Sequence, residues 1–196
     1  MNLHVKLIGI ALIGLMCLVH VARGAEPATK PAAKDAGGQP EFVVTDVRVL
    51  QPKARQYLYA ETTTSYAEMK PVVDKMVDNL HQVMADGHIR PAGSVILVYK
   101  GAMKDMNRPF QLQVGIPVPD DTKDVGDFRV RTLGSSRMAT VVYSGPIANI
   151  GSAYEQAFQQ LLMAGLQPTG ENREQYLLWE GGESPNNVVL IQIGVK

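Results

Sequence analysis

The chain has 196 residues, of which 45% are hydrophobic, 19% charged and 6% aromatic, a balance that excludes collagenous and wholly disordered classes. Lys plus Arg number 19 and Asp plus Glu number 19, so the formal net charge is zero and nothing marks a basic nucleic-acid or anionic-membrane surface. The single cysteine, Cys17, cannot form an intramolecular disulfide. No Cys/His cluster has zinc-ligand spacing, and neither a metal nor a cofactor is expected.

The first element is an export signal over residues 1–24. A short basic leader ends at Lys6, and an uncharged run, Leu7 to Ala22, follows it. As a helix that run spans roughly 24 Å, less than the ~30 Å hydrocarbon core, so it fits a signal better than a spanning helix. Ala22-Arg23-Gly24 places small residues for cleavage after Gly24, with Ala25 as the alternative and an uncleaved membrane anchor as the competing reading. A periplasmic or secreted location follows from cleavage, and no stable membrane span would remain. Residues 25–40, rich in Ala, Pro, Gly and Lys, have no apolar period and read as a disordered linker. Residues 41–196 then form one folded domain with room for a core.

Within that domain the sequence nearly repeats. Pro91-Ala92-Gly93 is matched 77 residues later by Pro168-Thr169-Gly170, Tyr99 by Tyr176, and the strand Val114 to Val118 by Ile191 to Val195. Arg48-Val49-Leu50 aligns with Arg131-Thr132-Leu133 at an offset of 83. Each half reads strand, strand, helix, strand, strand. In the first, Phe42 to Leu50 and Arg55 to Thr63 are β-rich, and Ser65 to Glu68 has capping-box spacing. Met69, Val72, Val73, Met76, Leu80 and Val83 recur at helical intervals up to Gly87, and strands follow at Ser94 to Lys100 and Pro109 to Val118. The second half has strands at Asp127 to Leu133 and Arg137 to Ser144, then a helix marked by Ile150, Ala153, Tyr154, Ala157, Phe158, Leu161 and Leu162 and ended by Gly165. Its last strands lie near Glu174 to Glu180 and Asn187 to Val195. The expected class is α+β: duplicated β-α-β-β units forming an antiparallel sheet pair, one helix on the outer face of each, and a cleft along the pseudo-twofold seam.

Three segments carry a family resemblance: Tyr143-Ser144-Gly145-Pro146 before a helix, Ala153-Tyr154-Glu155 within it, and Arg173-Glu174-Gln175-Tyr176-Leu177. With them the folded region resembles the GyrI-like effector-binding domain, the small-molecule sensor fused to AraC- and MerR-type transcription factors. The resemblance implies a hydrophobic, aromatic-lined cleft in which the Glu of a Glu-x-Tyr strand, here Glu174, meets cationic or polar ligands. Ile147 stands where the family commonly has Tyr, and Leu161 and Leu162 stand where it often has Trp. An export signal in place of a DNA-binding domain implies no transcriptional role and no nucleic-acid partner.

The residues point to Glu174 without the family. Side chains two apart on a strand share a face, so Glu174, Tyr176 and Leu178 point one way, and Val95, Leu97 and Tyr99 occupy the equivalent face of the other copy. Leu97 thus corresponds to Glu174, and if one faces the interior so does the other. An interior carboxylate must be protonated, paired or hydrogen-bonded, and it can anchor a cation or serve as a general base. The competing reading pairs Glu174 with Arg173, Arg137 or Lys100 at a rim. Tyr99 and Tyr176 are either cleft walls or core residues. Tyr143, Tyr59 and Trp179 are further candidate ligand contacts, with Tyr57 behind them. His81 and His88 lack a second ligand at metal spacing. Three functions are consistent with this pattern. The first is an exported, non-enzymatic domain binding a lipophilic small molecule, neutral or cationic. The second is a hydrolase using Glu174 as base, assisted by Tyr176 or Tyr143. The third is an extracytoplasmic protein-interaction module. The oligomeric state is not readable.

Overall fold

The computed structural model describes residues 42–101 and 108–196. The signal segment and the linker lie outside the described residues. Strands β1 (Val43–Val44), β2 (Arg48–Leu50) and β3 (Arg55–Thr64) lead to helix α1 (Met69–Asp86), then β4 (Ile96–Lys100) and β5 (Phe110–Val118). The second half runs β6 (Arg129–Leu133), β7 (Met138–Ser144), a 3-10 turn (Ile147–Asn149), α2 (Ile150–Met163), β8 (Pro168–Leu178) and β9 (Val188–Val195). No described helix is long and apolar enough to cross a membrane.

All nine strands join one antiparallel sheet ordered β1-β7-β9-β8-β4-β5-β3-β6, with β2 also on β7. The two halves meet at the β4–β8 ladder, so the expected sheet pair is continuous through its centre. The order is palindromic. The leading strands β1 and β2 of the first half pair with β7 of the second, while β6, which leads the second half, pairs with β3 of the first. The halves have exchanged their opening strands.

Register tests the repeat directly. Ile96 faces Gly115 and Arg173 faces Gln192, both shifted by 77, as the sequence match requires. Tyr57 faces Pro117 in one copy and Met138 faces Gly194 in the other. Pro117 and Gly194 are 77 apart, so β3 and β7 correspond at an offset of 81 rather than 83. The equivalent of Arg48-Val49 is therefore Arg129-Val130.

Sequence and structure also differ at element ends. The run from Phe42 to Leu50 splits in two because Val142 N–H donates to Thr45 Oγ1 and Val47 N–H donates to Gln160 Oε1, side chains taking over from the backbone ladder. Ser65 and Glu68 do meet, Oγ to Oε2 at 3.2 Å, but Glu68 itself caps α1, so the reciprocal capping box does not form. Strand β8 starts earlier than expected, at Pro168, and stops at Leu178. Beyond it, Glu180 N–H donates to Asn187 Oδ1 and Asn187 Nδ2 donates to Gly181 O, which turns Trp179 and Glu180 into the following loop.

Both helices cover one face of the sheet. Met69, Val73, Met76 and Val77 of α1 pack on Leu97, Tyr99, Leu112 and Val114, while Ala153, Ala157 and Leu161 of α2 pack on Val189, Ile191 and Ile193. The opposite face is the inside of a curl. Strands β6 and β7 lie six strand spacings apart, roughly 29 Å in a flat sheet. The five chain steps from Leu133 to Met138 reach at most about 19 Å. The sheet must therefore bend to bring its flanks together on the face away from the helices. Buried Arg173, at mid-sheet, holds the crossing link there: its Nη1 donates to Gly134 O and its Nη2 to Ser136 Oγ, at 3.1 and 3.3 Å.

Candidate functional site: a buried carboxylate ringed by tyrosines

Strand alternation puts Val95, Leu97 and Tyr99 of β4 and its approach on the helix-bearing face, together with Asn172, Glu174 and Tyr176 of β8. Leu97 and Glu174, matched in sequence by the repeat, are direct cross-strand partners, so the pseudo-twofold axis runs through that pair. Both sit in the interior, at 1% and 5% exposure, which decides between an interior and a rim position for the acid.

Three phenols close on the carboxylate. Tyr99 and Tyr176 donate to Oε2 and Tyr154 of α2 donates to Oε1, each at 2.8 Å. The site thus draws one tyrosine from β4, one from β8 and one from the helix above the seam. Arg173 is instead bonded to Glu171, and Lys100 lies near Glu61, both on the other side of the sheet. Among the described residues no Lys, Arg or His forms an ion pair with Glu174. Burial raises the Glu174 carboxyl above its ordinary value, and the three tyrosine hydrogen bonds only partly counter the rise. The phenols of Tyr99, Tyr154 and Tyr176 are held well above their ordinary value, first by burial and then by the charge of Glu174. Tyr66, tilted against Phe110 at 4.9 Å, is raised as well, first by burial and then by the same charge.

A carboxylate offers about four lone-pair positions. Among the described residues two on Oε2 and one on Oε1 are filled, leaving one on Oε1. Tyr99 is buried, whereas Tyr154 and Tyr176 are half-buried. Surface depressions beside the β5–β6 loop, lined by Asp121, Thr122, Lys123 and Asp124 among others, share no residue with this cluster.

The other candidates from sequence lie elsewhere. Tyr143 is fully buried beneath α2 against Phe42, and its hydroxyl donates to Pro146 O, closing the Gly-Pro turn. Gly145 in that turn has φ 151°, and a Cβ there would come within 2.6 Å of Phe42 Cβ, so the turn requires glycine. Tyr59 stacks on Tyr57 inside the curl, both under the Arg131 guanidinium, on the face opposite Glu174. Trp179 is half exposed and touches the cluster only through the Tyr176 ring, edge-on at 5.5 Å. Leu178 leaves the face of Glu174 because a bulge after Tyr176 resets the alternation, and it pairs with Val188. Sequence reasoning misses Tyr154 and Tyr66 as site residues. The helical period places Tyr154 on the buried face of α2, and that is the available signal. No group of metal-ligating side chains occurs among the described residues.

This geometry meets a family model, the GyrI-like small molecule binding domain, which matches residues 45–196. The chain belongs to this family. Its fold recurs in solved structures at low identity. The EcmrR C-terminal domain superimposes with a TM-score of 0.61 at 16% identity, over 77% of this chain and 97% of that one. SAV2435 bound to tetraphenylphosphonium gives 0.56 at 11% identity, over 78% and 94%. A hydrolase encoded by lin2189 from Listeria innocua gives 0.56 at 13%, over 77% and 92%. No curated protein sequence matches the chain. The described region is accordingly a GyrI-like small-molecule-binding domain, and the sequence resemblance is upheld at the level of family and fold.

Proposed function

We propose that this GyrI-like domain binds a lipophilic cation between its halves, without turning it over, on the outer side of the cytoplasmic membrane. The observation that supports this is the Glu174 carboxylate: buried, hydrogen-bonded by three neutral phenols, and facing no protein cation among the described residues. Desolvation makes the charged form of such a carboxyl costly when its donors are all neutral, and a bound cation offsets that cost. The rings of Tyr99, Tyr154 and Tyr176 add aromatic area and cation–π attraction of about 0.5–2 kcal/mol each. Tetraphenylphosphonium, the cation bound to SAV2435, is a fitting first probe.

Titration calorimetry of the full-length chain with tetraphenylphosphonium tests the reading. Saturable binding that weakens at least about tenfold in Glu174→Gln is expected, since the ion–ion contact is lost. Absence of binding with the fold intact refutes it. A second reading, hydrolysis, draws on the raised Glu174 carboxyl and the one open position on Oε1, which would accept a proton from water. It predicts that Glu174→Gln abolishes turnover while affinity persists. Export rests on residues 1–24, and N-terminal sequencing of the mature chain beginning at Ala25 or Glu26 would support it.

A further inference from the structure

The broken symmetry extends one step beyond Glu174. The position that corresponds to Val95 of the first copy is Asn172 in the second, again 77 residues on. Asn172 is 2% exposed, and its amide nitrogen has no hydrogen-bond partner among the described residues. Its cross-strand neighbours are Tyr99 on β4 and Ile193 on β9, and it shares the helix-bearing face with Glu174. Two residues along a strand separate the two side chains by about 7 Å.

A buried N–H without an acceptor destabilises a fold, and Val95 shows that the equivalent position accepts an apolar side chain. The packing of the sheet alone therefore gives no reason for an amide. At the opposite end of the same face, Tyr176 lies beside Val95, its N–H bonding Val95 O through the backbone, and no such donor is present among the described residues. One end of the seam offers an amide donor beside Tyr99, and the other offers hydrocarbon beside Tyr176.

We propose that Asn172 is a ligand-binding residue, and that the ligand is a lipophilic cation carrying a carbonyl or ether oxygen about one aromatic ring length from its charge. The cation sits against Glu174, and the oxygen accepts from Asn172 Nδ2. This deepens the function proposed above and rests on it.

Three phosphonium probes test it on the full-length chain by calorimetry: tetraphenylphosphonium, (4-acetylphenyl)triphenylphosphonium, and the same cation with isopropyl in place of acetyl, which keeps the shape and removes the acceptor. The wild-type protein should bind the acetyl probe about fivefold to tenfold tighter than the isopropyl one. Asn172→Val, which installs the residue of the sister copy, should erase that preference while changing tetraphenylphosphonium affinity by less than about twofold. Asn172→Ala should do the same, which covers the case in which Val overfills the site. The melting temperature of Asn172→Val should equal or exceed the wild-type value. Equal binding of the two matched probes by the wild type, or a preference that survives both substitutions, overturns the role of Asn172 and leaves the cation site standing. Failure of all three cations to bind overturns both.

Discussion

Replacing Tyr99 by Phe removes one hydroxyl and leaves a ring packed against Phe110 at 5.9 Å between centroids. The lost contact is a 2.8 Å hydrogen bond to Glu174 Oε2, from a side chain 3% exposed. Against an ionised acceptor such a bond contributes about 1.5–3 kcal/mol, and against a neutral one about 0.5–1.5 kcal/mol. Tyr99→Phe should therefore cost about 2 kcal/mol at the high-pH end, where the carboxyl is ionised, and about 1 kcal/mol at the low-pH end, where it is protonated. The weaker hold on the ionised form pushes the variant's carboxyl further up. The sign follows from linkage. Because the folded carboxyl titrates above its unfolded value, its protonation favours the fold, fully below about pH 4.3 and progressively less as pH rises through the folded value. Tyr99→Phe extends that window upward. Urea unfolding of both proteins between pH 4 and 8 measures it. A loss that is the same at both ends, or no loss at all, would show that an ionised Glu174 is not the acceptor.

Glu174→Gln removes a charge whose burial outweighs its hydrogen bonds, so at pH 7 its melting temperature should match or exceed wild type, with the gap closing as pH falls to 4. Arg173→Met takes the donor from the β6–β7 link and leaves the half-buried Glu171 without its partner, which should cost about 1.5–3 kcal/mol in denaturant unfolding. Gly115→Ala would put a Cβ 2.2 Å from Leu58 O and 2.7 Å from Tyr59 Cβ, and should lower stability by more than about 2 kcal/mol or abolish soluble expression.

Local pattern carried the strands, the helices and the interior place of Glu174. The match of Leu97 to Glu174 needed only a repeat and the two-residue period of a strand, and the ladder then set the two side by side. Contacts between distant segments were beyond such a reading. Tyr154 lies 20 residues from Glu174 on another element, and only the crossing of α2 over the seam brings its hydroxyl to Oε1. The offset of 83 failed for a related reason: three residues of similar character align in more than one way, and hydrogen-bond register alone separates 81 from 83. Tyr143 and Tyr59 have the composition of site residues, but one closes a turn and the other stacks inside the curl. Chemistry of that kind is set by face and neighbour, which a single strand's sequence leaves open.

The traded opening strands bear on how such a site can hold an unsymmetrical guest. Neither lobe completes its own sheet, so a lobe on its own would need a twin to supply the missing edge, and two identical lobes would make a strict dimer. In that dimer a guest on the axis meets the same wall from either direction. Joining the lobes in one chain lets each differ, and here one has Val95 and Leu97 where the other has Asn172 and Glu174. The two ends of the seam are thereby chemically distinct.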